Sequence, residues 1–406
     1  MLGIDLTDNE AGIALSDSDS CFHVPTAICR DKKHDLWYIG ETAYEKALAG
    51  KGVITDKLLA LTEKRGTATI RGVRYEALDL LCRFLSMLRE LCVERCGGSA
   101  PDGTVLVLPD YDRGQIEAIL TGMEAYGFPR EKTFCVSREE SFLYYVMSQP
   151  REVRTGEVGL FDLSDQSLVF YELTTKRERK KIFVHAEKEN LEEAFTLSVL
   201  KNTAGEKLAD KIMSSAAERL LRNKNFSGVL LTGRGFERYD WAKEFMRQIC
   251  GMRRRVFLDS DIFAKGALVR CAGLLSGQGD PGFVAVCSGR IGASVTMNVK
   301  KNGQSMVFPL ISTGDPISLA GVELRLLPDG EREIELRIDA FRARKVRSVK
   351  IPLSFLPERE RKTCFVDFRA QFRDERTMCV TLRDAGFGEL FPRTDAVVEE
   401  VVQLWE

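Results

Sequence analysis

The stretch GLFDLSDQSLVFYEL, Gly159–Leu173, decides the fold because the chain contains it twice in nearly the same form. It predicts an apolar strand that includes Asp162, a tight polar turn and a second strand that runs back. The N-terminal stretch GIDLTDNEAGIAL, Gly3–Leu15, predicts the same hairpin, with Asp5 in the position of Asp162. A repeat with a period of domain size indicates two similar halves, and their hairpins and carboxylates can face one cleft.

The repeated hairpin has two interpretations. Backbone N–H groups in such turns can bind phosphate, and a carboxylate beside each turn can hold Mg²⁺ through water. Alternatively, Asp5 and Asp162 are turn-forming residues of ordinary hairpins, a role in which Asp is common. The duplication favours the first interpretation.

Composition sets the class of protein. The 406 residues are 44% hydrophobic and 29% charged, which is enough for a large core and two or three domains. A formal net charge of -1 gives no bulk attraction to nucleic acid or to an anionic membrane, so neither is an expected partner. No charged leader with an apolar segment and no apolar run of about 18 residues is present, which predicts a cytoplasmic protein. The 11 cysteines lack paired CxxC spacing and are expected to be reduced.

The order of predicted elements divides the chain into three domains. Strands and helices alternate in residues 1–150 and again in residues 151–279, whereas residues 280–406 contain strand patterns such as the alternating Cys364, Val366, Phe368, Ala370 and Phe372. Apolar spacings of three and four predict a helix over Val73–Cys96. Asn190 with Glu193 predicts a capping box that opens further helices. The last residues, RTDAVVEEVVQLWE, are expected to form a short helix.

Five motifs in this order resemble the superfamily of actin and the seventy-kilodalton heat-shock chaperones, and the chaperones are the closer likeness. The motifs are GIDLTDNEAG from Gly3, the segment Val105–Met147 with REESFLYY, LFDLSDQSLVFYEL from Leu160, GVLLTGRGFERYDWAKEFMRQIC from Gly228, and DSDIFAKGALVRCAG, Asp259–Gly273. The resemblance implies an α/β fold: a two-lobed actin-like, duplicated ribonuclease H-like ATPase fold, followed by a β-sandwich without the chaperones' long lid. It also implies ATP or ADP with Mg²⁺ as cofactor, and a protein or peptide partner bound by the β-sandwich.

The resemblance assigns roles to individual residues. Asp5 and Asp162 match the catalytic, cation-holding carboxylates of the family. Glu139, or Glu140 with a one-residue shift, matches a catalytic acid in the segment that joins the two lobes, which Val105–Met147 resembles. The residues that match nucleotide-binding or close-packing positions are Thr7, Asp8, Asn9, Ser164, Asp165, Gln166, Gly233, Arg234, Gly235, Gly266 and Ala267. For the catalytic lysine, the sequence offers only Lys57 and Lys64. Glu139 also fits a structural role, as an acid that interacts with the dipole at a helix N-terminus.

The departures from the family pattern concern the turns Thr7–Asn9 and Ser164–Gln166, which match the family's first and second phosphate loops. Their tips carry no glycine, although positive φ and close approach to phosphate favour it. Asp8 and Asp165 would each lie against polyphosphate, and a like-charge contact at about 4 Å costs roughly 4 kcal/mol at an effective dielectric near 20. The upper subdomain of the second lobe is reduced to predicted helices over Asn190–Arg222. Two functions therefore remain: an ATP-binding chaperone-like protein, or a pseudo-ATPase scaffold that does not bind ATP.

Overall fold

The computed structural model describes residues 1–16, 21–165, 167–178, 181–277, 282–301, 303–342, 346–360 and 362–405. The fold is mixed α/β, as predicted, with several sheets. The chain divides into two compact units, Met1–Phe283 and Val284–Glu406. The predicted subdivision after residue 150 stays a prediction.

The first unit contains fifteen strands and eight α-helices among the described residues. The strands are β1 Leu2–Leu6, β2 Glu10–Leu15, β3 Phe22–Pro25, β4 Ala27–Asp31, β5 Trp37–Ile39, β6 Gly52–Asp56, β7 Thr67–Ile70, β8 Val73–Glu76, β9 Thr104–Leu108, β10 Thr133–Ser137, β11 Glu157–Ser164, β12 Ser167–Glu178, β13 Lys181–Asn190, β14 Phe226–Thr232 and β15 Arg255–Leu258. The helices are α1 Gly40–Leu48, α2 Leu58–Glu63, α3 Ala77–Arg95, α4 Arg113–Ala125, α5 Arg138–Ser148, α6 Thr203–Leu221, α7 Lys243–Ile249 and α8 Ile262–Ser276. Short 3-10 helices lie at Arg130–Lys132, Arg151–Val153, Leu197–Lys201, Arg234–Phe236 and Gly251–Arg253.

The two large sheets of this unit repeat one topology. Their strand orders are β3-β2-β1-β9-β10 and β13-β12-β11-β14-β15. In both, the first three strands are antiparallel, and the last two run parallel to the strand that bears the motif aspartate. Asp5 lies opposite Val107 and Asp162 opposite Thr232, so each carboxylate stands near the carboxyl edge of its parallel strands. The smaller sheets are β5-β4-β6 and the hairpin β7-β8.

Helices α5 and α8 hold the same place in the two repeats, since each follows the last parallel strand of its sheet. They pack against each other through glycine. A Cβ on Gly266 would lie 2.0 Å from the carbonyl oxygen of Ser141, and a Cβ on Gly3 of β1 would lie 2.4 Å from that of Ala264. Such distances are impossible for real atoms, so these two glycines permit α8 to contact both α5 and β1.

Two predicted helix starts are wrong. Val73–Glu76 is strand β8, paired with β7, and the helix begins at Ala77. Asn190 ends strand β13 instead of opening a helix, because the chain extends its pairing with β12 to Val169. Helix α6 begins at Thr203, where the side chain of Asn202 accepts a hydrogen bond from the N–H of Gly205.

The second unit is a β structure in its described residues. Its strands are β16 Val284–Val286, β17 Ala293–Lys301, β18 Gln304–Ile311, β19 Gly321–Leu326, β20 Glu333–Ala340, β21 Arg347–Pro352, β22 Phe365–Phe372, β23 Thr377–Gly386 and β24 Val397–Gln403. Two antiparallel sheets have the orders β18-β17-β20-β21 and β19-β22-β23-β24. Alternate residues of β20 and β22 are buried, so each sheet has one buried face and one face that is more exposed. This confirms the alternation predicted for Val366, Phe368, Ala370 and Phe372.

The predicted C-terminal helix is wrong. Val397–Gln403 forms the edge strand β24, and its residues pair antiparallel with Thr377–Arg383 of β23. The stretch VVEEVV is rich in β-branched residues, and these fit a pleated, half-buried surface better than a helix. In the described residues, none of the helices is both long and apolar enough to cross a bilayer.

Candidate functional site

The two motif aspartates come together on one arginine. Arg138 donates from Nε and Nη2 to the two carboxylate oxygens of Asp5, at 3.1 and 2.8 Å. Its Nη1 donates to Oδ2 of Asp162 at 2.8 Å. All three side chains are largely buried, with exposed fractions of 12% for Arg138, 16% for Asp5 and 6% for Asp162. The predicted convergence of the two carboxylates is therefore present, and a guanidinium bridges them.

The fold holds Arg138 firmly in this position. It is the first residue of α5, and the Ser137 hydroxyl caps that helix by accepting a hydrogen bond from the N–H of Glu140 at 3.1 Å. The guanidinium carbon lies 4.4 Å from the centroid of the Phe263 ring, a cation–π geometry. Burial alone would lower the pKa of Arg138, but the carboxylates of Asp5 and Asp162 outweigh it and raise the pKa above its ordinary value.

The arrangement around Arg138 does not fit a metal ion between Asp5 and Asp162. Three of the four carboxylate oxygens already accept hydrogen bonds from a permanently charged guanidinium, and Oδ1 of Asp162 accepts one from the Ser164 hydroxyl at 3.3 Å. Burial raises the pKa of Asp162, opposed by Arg138. In the part of the chain that the structure describes, no three His, Cys, Asp or Glu side chains are grouped to hold a metal.

A second cation between two acids lies in the same cleft. Nε2 of His23 is 2.8 Å from Oδ1 of Asp261, and Nδ1 is 3.4 Å from Oε1 of Glu10. The hydrogen bond to Asp261, followed by that to Glu10, raises the pKa of His23 to about 10. The same contacts lower the pKa values of Glu10 and Asp261. His23 is therefore an imidazolium at neutral pH.

We expect the stability of the first unit to fall between pH 7 and pH 10 because of His23. Its folded pKa of about 10 lies above the unfolded value near 6.5, so its contribution is complete below pH 6.5 and is lost as the pH rises through 10. Thermal melts from pH 6 to pH 10 should show this fall in the wild type and a flatter profile in His23→Gln. An NMR titration in which the ring of His23 loses its proton near pH 6.5 would contradict the assignment.

The first loop, Thr7–Asn9, forms several hydrogen bonds within its own turn. The hydroxyl oxygen of Thr7 accepts hydrogen bonds from the N–H groups of Asn9 and Glu10, at 3.3 and 3.1 Å, and donates to the carbonyl of Glu10 at 2.8 Å. The N–H of Thr7 donates to the same carbonyl at 3.0 Å. The N–H groups of Thr7, Asn9 and Glu10 are thus engaged within the turn.

The acidic tips of both loops cap helices. Oδ1 of Asp8 accepts a hydrogen bond from the N–H of Ala60 in α2 at 2.9 Å. Oδ1 of Asp165 accepts one from the N–H of Leu197, the first residue of the 3-10 helix Leu197–Lys201, at 3.0 Å. Unsatisfied N–H groups and the positive end of the dipole favour an acid at such positions. The sequence predicted that these carboxylates oppose phosphate, whereas the repeat uses both of them to anchor helices. Gln166 lies outside the described residues.

Gly233 and Gly235, which the resemblance assigns to nucleotide-binding or close-packing positions, pack on the second hairpin. Gly233 has φ +91°, and a Cβ there would lie 2.4 Å from the carbonyl oxygen of Leu163. A Cβ on Gly235 would lie 2.4 Å from the Leu163 side chain. Both positions therefore need glycine for close backbone packing. Arg234 between them is exposed and lines the mouth of the cleft.

The remaining predicted residues are not among those that line the cleft. Glu139 is the second residue of α5 and is 2% exposed, and Glu140 forms a buried ion pair with Arg270 at 3.0 Å. Lys57 precedes α2 with φ 52°, and Lys64 follows that helix. Neither lysine lines the cleft among the described residues.

The cleft itself is small. Water-sized molecules can enter about 60 Å³ of the space between its lining residues. Ligand pockets usually have about 300–1,000 Å³. The lining residues are Asp5, Thr7, Asn9, Glu10, Gly12, His23, Arg138, Asp162, Ser164, Thr232, Gly233, Arg234, Ser260, Asp261, Phe263 and Ala264. In this conformation the free space of the cleft is below the range usual for bound small molecules.

Sequence reasoning missed Arg138 and His23. A signal for Arg138 was present: it directly follows the strand Thr133–Ser137, and the carboxyl ends of parallel strands share an edge with Asp5. An arginine at that edge beside a repeated aspartate indicates an ion pair. His23 pairs with Asp261, 238 residues away, and no local pattern indicates this contact.

Two family models match the chain. One, described as a family of unknown function, DUF5716, C-terminal, matches residues 11–288, which is more than half of the chain. The other, described as a domain of unknown function, DUF8552, matches residues 290–404. A search of the curated proteins found no match.

Proposed function

We propose that this chain, which belongs to the DUF5716 family, is a pseudo-ATPase: an interaction or scaffold protein built on an actin-like, chaperone-related ATPase fold whose cleft takes no Mg·ATP. The Arg138 bridge between Asp5 and Asp162 carries this proposal. A permanently protonated guanidinium supplies the positive charge that a cation would otherwise bring to these carboxylates.

The fold supports the ancestry in this proposal. The two sheets of the first unit share strand order and direction, with the motif aspartates at equivalent positions, which is what a duplicated ribonuclease H-like fold requires. The second unit has two antiparallel sheets that each bury one face, as expected for a β-sandwich.

The loops and the second ion cluster support the loss of nucleotide binding. The Thr7 hydroxyl accepts hydrogen bonds from the N–H groups of Asn9 and Glu10, and Asp8 and Asp165 cap helices. The pairing of His23 with Glu10 and Asp261 adds a second link across the cleft. Opening room for a nucleotide requires breaking both clusters.

We assign the binding of a protein or peptide partner to the second unit. This assignment follows the proposed ancestry, in which the chaperones' β-sandwich binds a protein or peptide partner, in a cytoplasmic setting; Leu319 and Leu390 are exposed apolar side chains of this unit. A nucleotide-gated chaperone is the other candidate, favoured by the duplicated topology and by Gly233 at a position that matches a nucleotide-binding or close-packing glycine of the family.

Thermal melting with nucleotide separates these candidates. A ligand at a hundred times its dissociation constant adds about 2.7 kcal/mol to the free energy of unfolding, a shift of several degrees. We expect no shift with millimolar Mg·ATP or Mg·ADP beyond that of MgCl₂ alone. A shift with Mg·ATP that Mg·GTP and MgCl₂ do not produce would reject the pseudo-ATPase and support the gated chaperone.

A further inference from the structure

A second pocket lies at the opposite end of the second large sheet from the cleft, where β11, β14 and β15 begin. Its volume is about 480 Å³, within the usual range for a bound small molecule. The lining residues are Glu152, Thr155, Gly156, Asn225, Phe226, Ser227, Met252, Arg253 and Arg255. None of them lines the cleft between Asp5 and Asp162.

The pocket carries two arginines without a counter-ion. Arg253 and Arg255 are exposed, and in the described residues neither guanidinium forms an ion pair or a hydrogen bond. Some exposed arginines elsewhere in this unit do pair with carboxylates, as Arg219 does with Glu189 and Glu193 at 2.9 and 3.1 Å. Glu152 is the one acid among the lining residues, so the pocket is positively charged.

The backbone holds the arginines in an unusual turn. Met252 and Arg253 have φ values of 55° and 61°, which residues other than glycine rarely adopt. Nη1 of the intervening Arg254 donates to the carbonyl of Gln248 at 3.2 Å and fixes the turn from the α7 side. Strained backbone of this kind is frequent at ligand-binding sites.

Neutral hydrogen-bonding groups complete the pocket. The hydroxyl of Thr155 and the side-chain amide of Asn225 form no hydrogen bond with another described residue. Ser227 is committed to the structure instead, because its hydroxyl donates to the carbonyl of Val153 at 2.8 Å and accepts from the N–H of Gly156 at 3.0 Å. Two cationic forks and two uncommitted polar side chains therefore surround one space.

We propose that this pocket binds a small organic phosphate, with Arg253 and Arg255 on the phosphate group and Thr155 and Asn225 on the organic part. Guanidinium forks match the oxygens of a phosphate in pairs. The volume leaves room beyond one phosphate for a polar group of sugar size. This site is separate from the cleft and does not depend on the function proposed above.

Calorimetric titration at fixed ionic strength tests the proposal with two probes, inorganic phosphate and glucose 6-phosphate. Both should bind, and the sugar phosphate more tightly, since only it reaches the neutral groups. In a variant with Arg253→Gln and Arg255→Gln, both affinities should fall at least about tenfold. The charge-matched control combines Arg177→Gln with Lys181→Gln on the exposed β12–β13 hairpin and should leave both affinities unchanged.

Three results overturn the proposal. One is that neither probe binds. Another is that binding persists in the double arginine variant or falls equally in the hairpin control, which indicates a general charge effect. The third is that inorganic phosphate binds at least as tightly as the sugar phosphate, because the pocket then contributes nothing to the organic part.

Discussion

Replacing Arg138 with alanine is expected to lower the free energy of unfolding of the first unit by roughly 3–5 kcal/mol. The change leaves the largely buried carboxylates of Asp5 and Asp162 facing each other without a counter-charge. Urea denaturation gives the free energy directly. Arg219→Ala, which removes an exposed arginine paired with Glu189 and Glu193, should cost no more than about 1 kcal/mol.

The same variant tests whether the guanidinium stands in for a cation. With Arg138 shortened, Mg²⁺ or Mn²⁺ can approach Asp5 and Asp162 and be held by carboxylate oxygens and water. Either ion at millimolar concentration should raise the melting temperature of Arg138→Ala, with NaCl of equal ionic strength as reference. The wild type should not respond, because its arginine already occupies the carboxylates.

Neutralising the whole cluster provides a second measurement if Arg138→Ala folds poorly. The triple variant Asp5→Asn, Arg138→Met, Asp162→Asn buries no unpaired charge and should be more stable than Arg138→Ala. Its melting temperature should also not change when Mg²⁺ or Mn²⁺ is added. Equal stability of the wild type and Arg138→Ala, together with no response of the latter to Mg²⁺ or Mn²⁺, would show that the bridge has no such role.

The sequence predicted those features that depend on short periods and on repetition. The apolar runs around Asp5 and Asp162 predict buried strands, and their similarity places the two carboxylates in equivalent positions. Alternation predicts the buried face of β22. Such patterns depend on local geometry and on which face is buried, and a single sequence contains both.

The missed features depend on contacts between distant parts of the chain. Asp8 reaches Ala60 and Asp165 reaches Leu197, so their roles as helix caps depend on tertiary packing. The C-terminal strand β24 depends on the free edge of β23, which a helical reading of EEVVQLWE does not take into account. The family resemblance assigned Asp8 and Asp165 to phosphate binding, and a single sequence does not show that these two carboxylates contact helix N-termini.

Replacing Asp384 with asparagine is expected to destabilise the second unit by roughly 3–5 kcal/mol. The side chain is fully buried, and Arg359 donates to both of its oxygens at 3.1 and 3.0 Å. The backbone N–H of Gly386, the thiol of Cys364, and the N–H and hydroxyl of Thr394 also donate to it. Asparagine removes the negative charge and substitutes a donor for one acceptor oxygen, so Arg359 is left partly buried without its counter-charge.

The acid dependence of unfolding separates loss of this charge from a general packing defect. Despite the cost of burial, the hydrogen bonds to Asp384 lower its pKa to about 2. Because the unfolded value is near 3.9, its contribution of about 2 kcal/mol is complete above pH 4 and is lost as the pH falls through 2. Asp384→Asn should lack this loss between pH 4 and pH 2, whereas Asp367→Asn, which breaks the exposed pair with Arg325, should keep it. If Asp384→Asn retained the wild-type acid profile, the charge of Asp384 would not be what stabilises the unit. Asp367→Asn also loses one carboxylate but keeps the buried network around Asp384, so a difference between the two variants is due to that network.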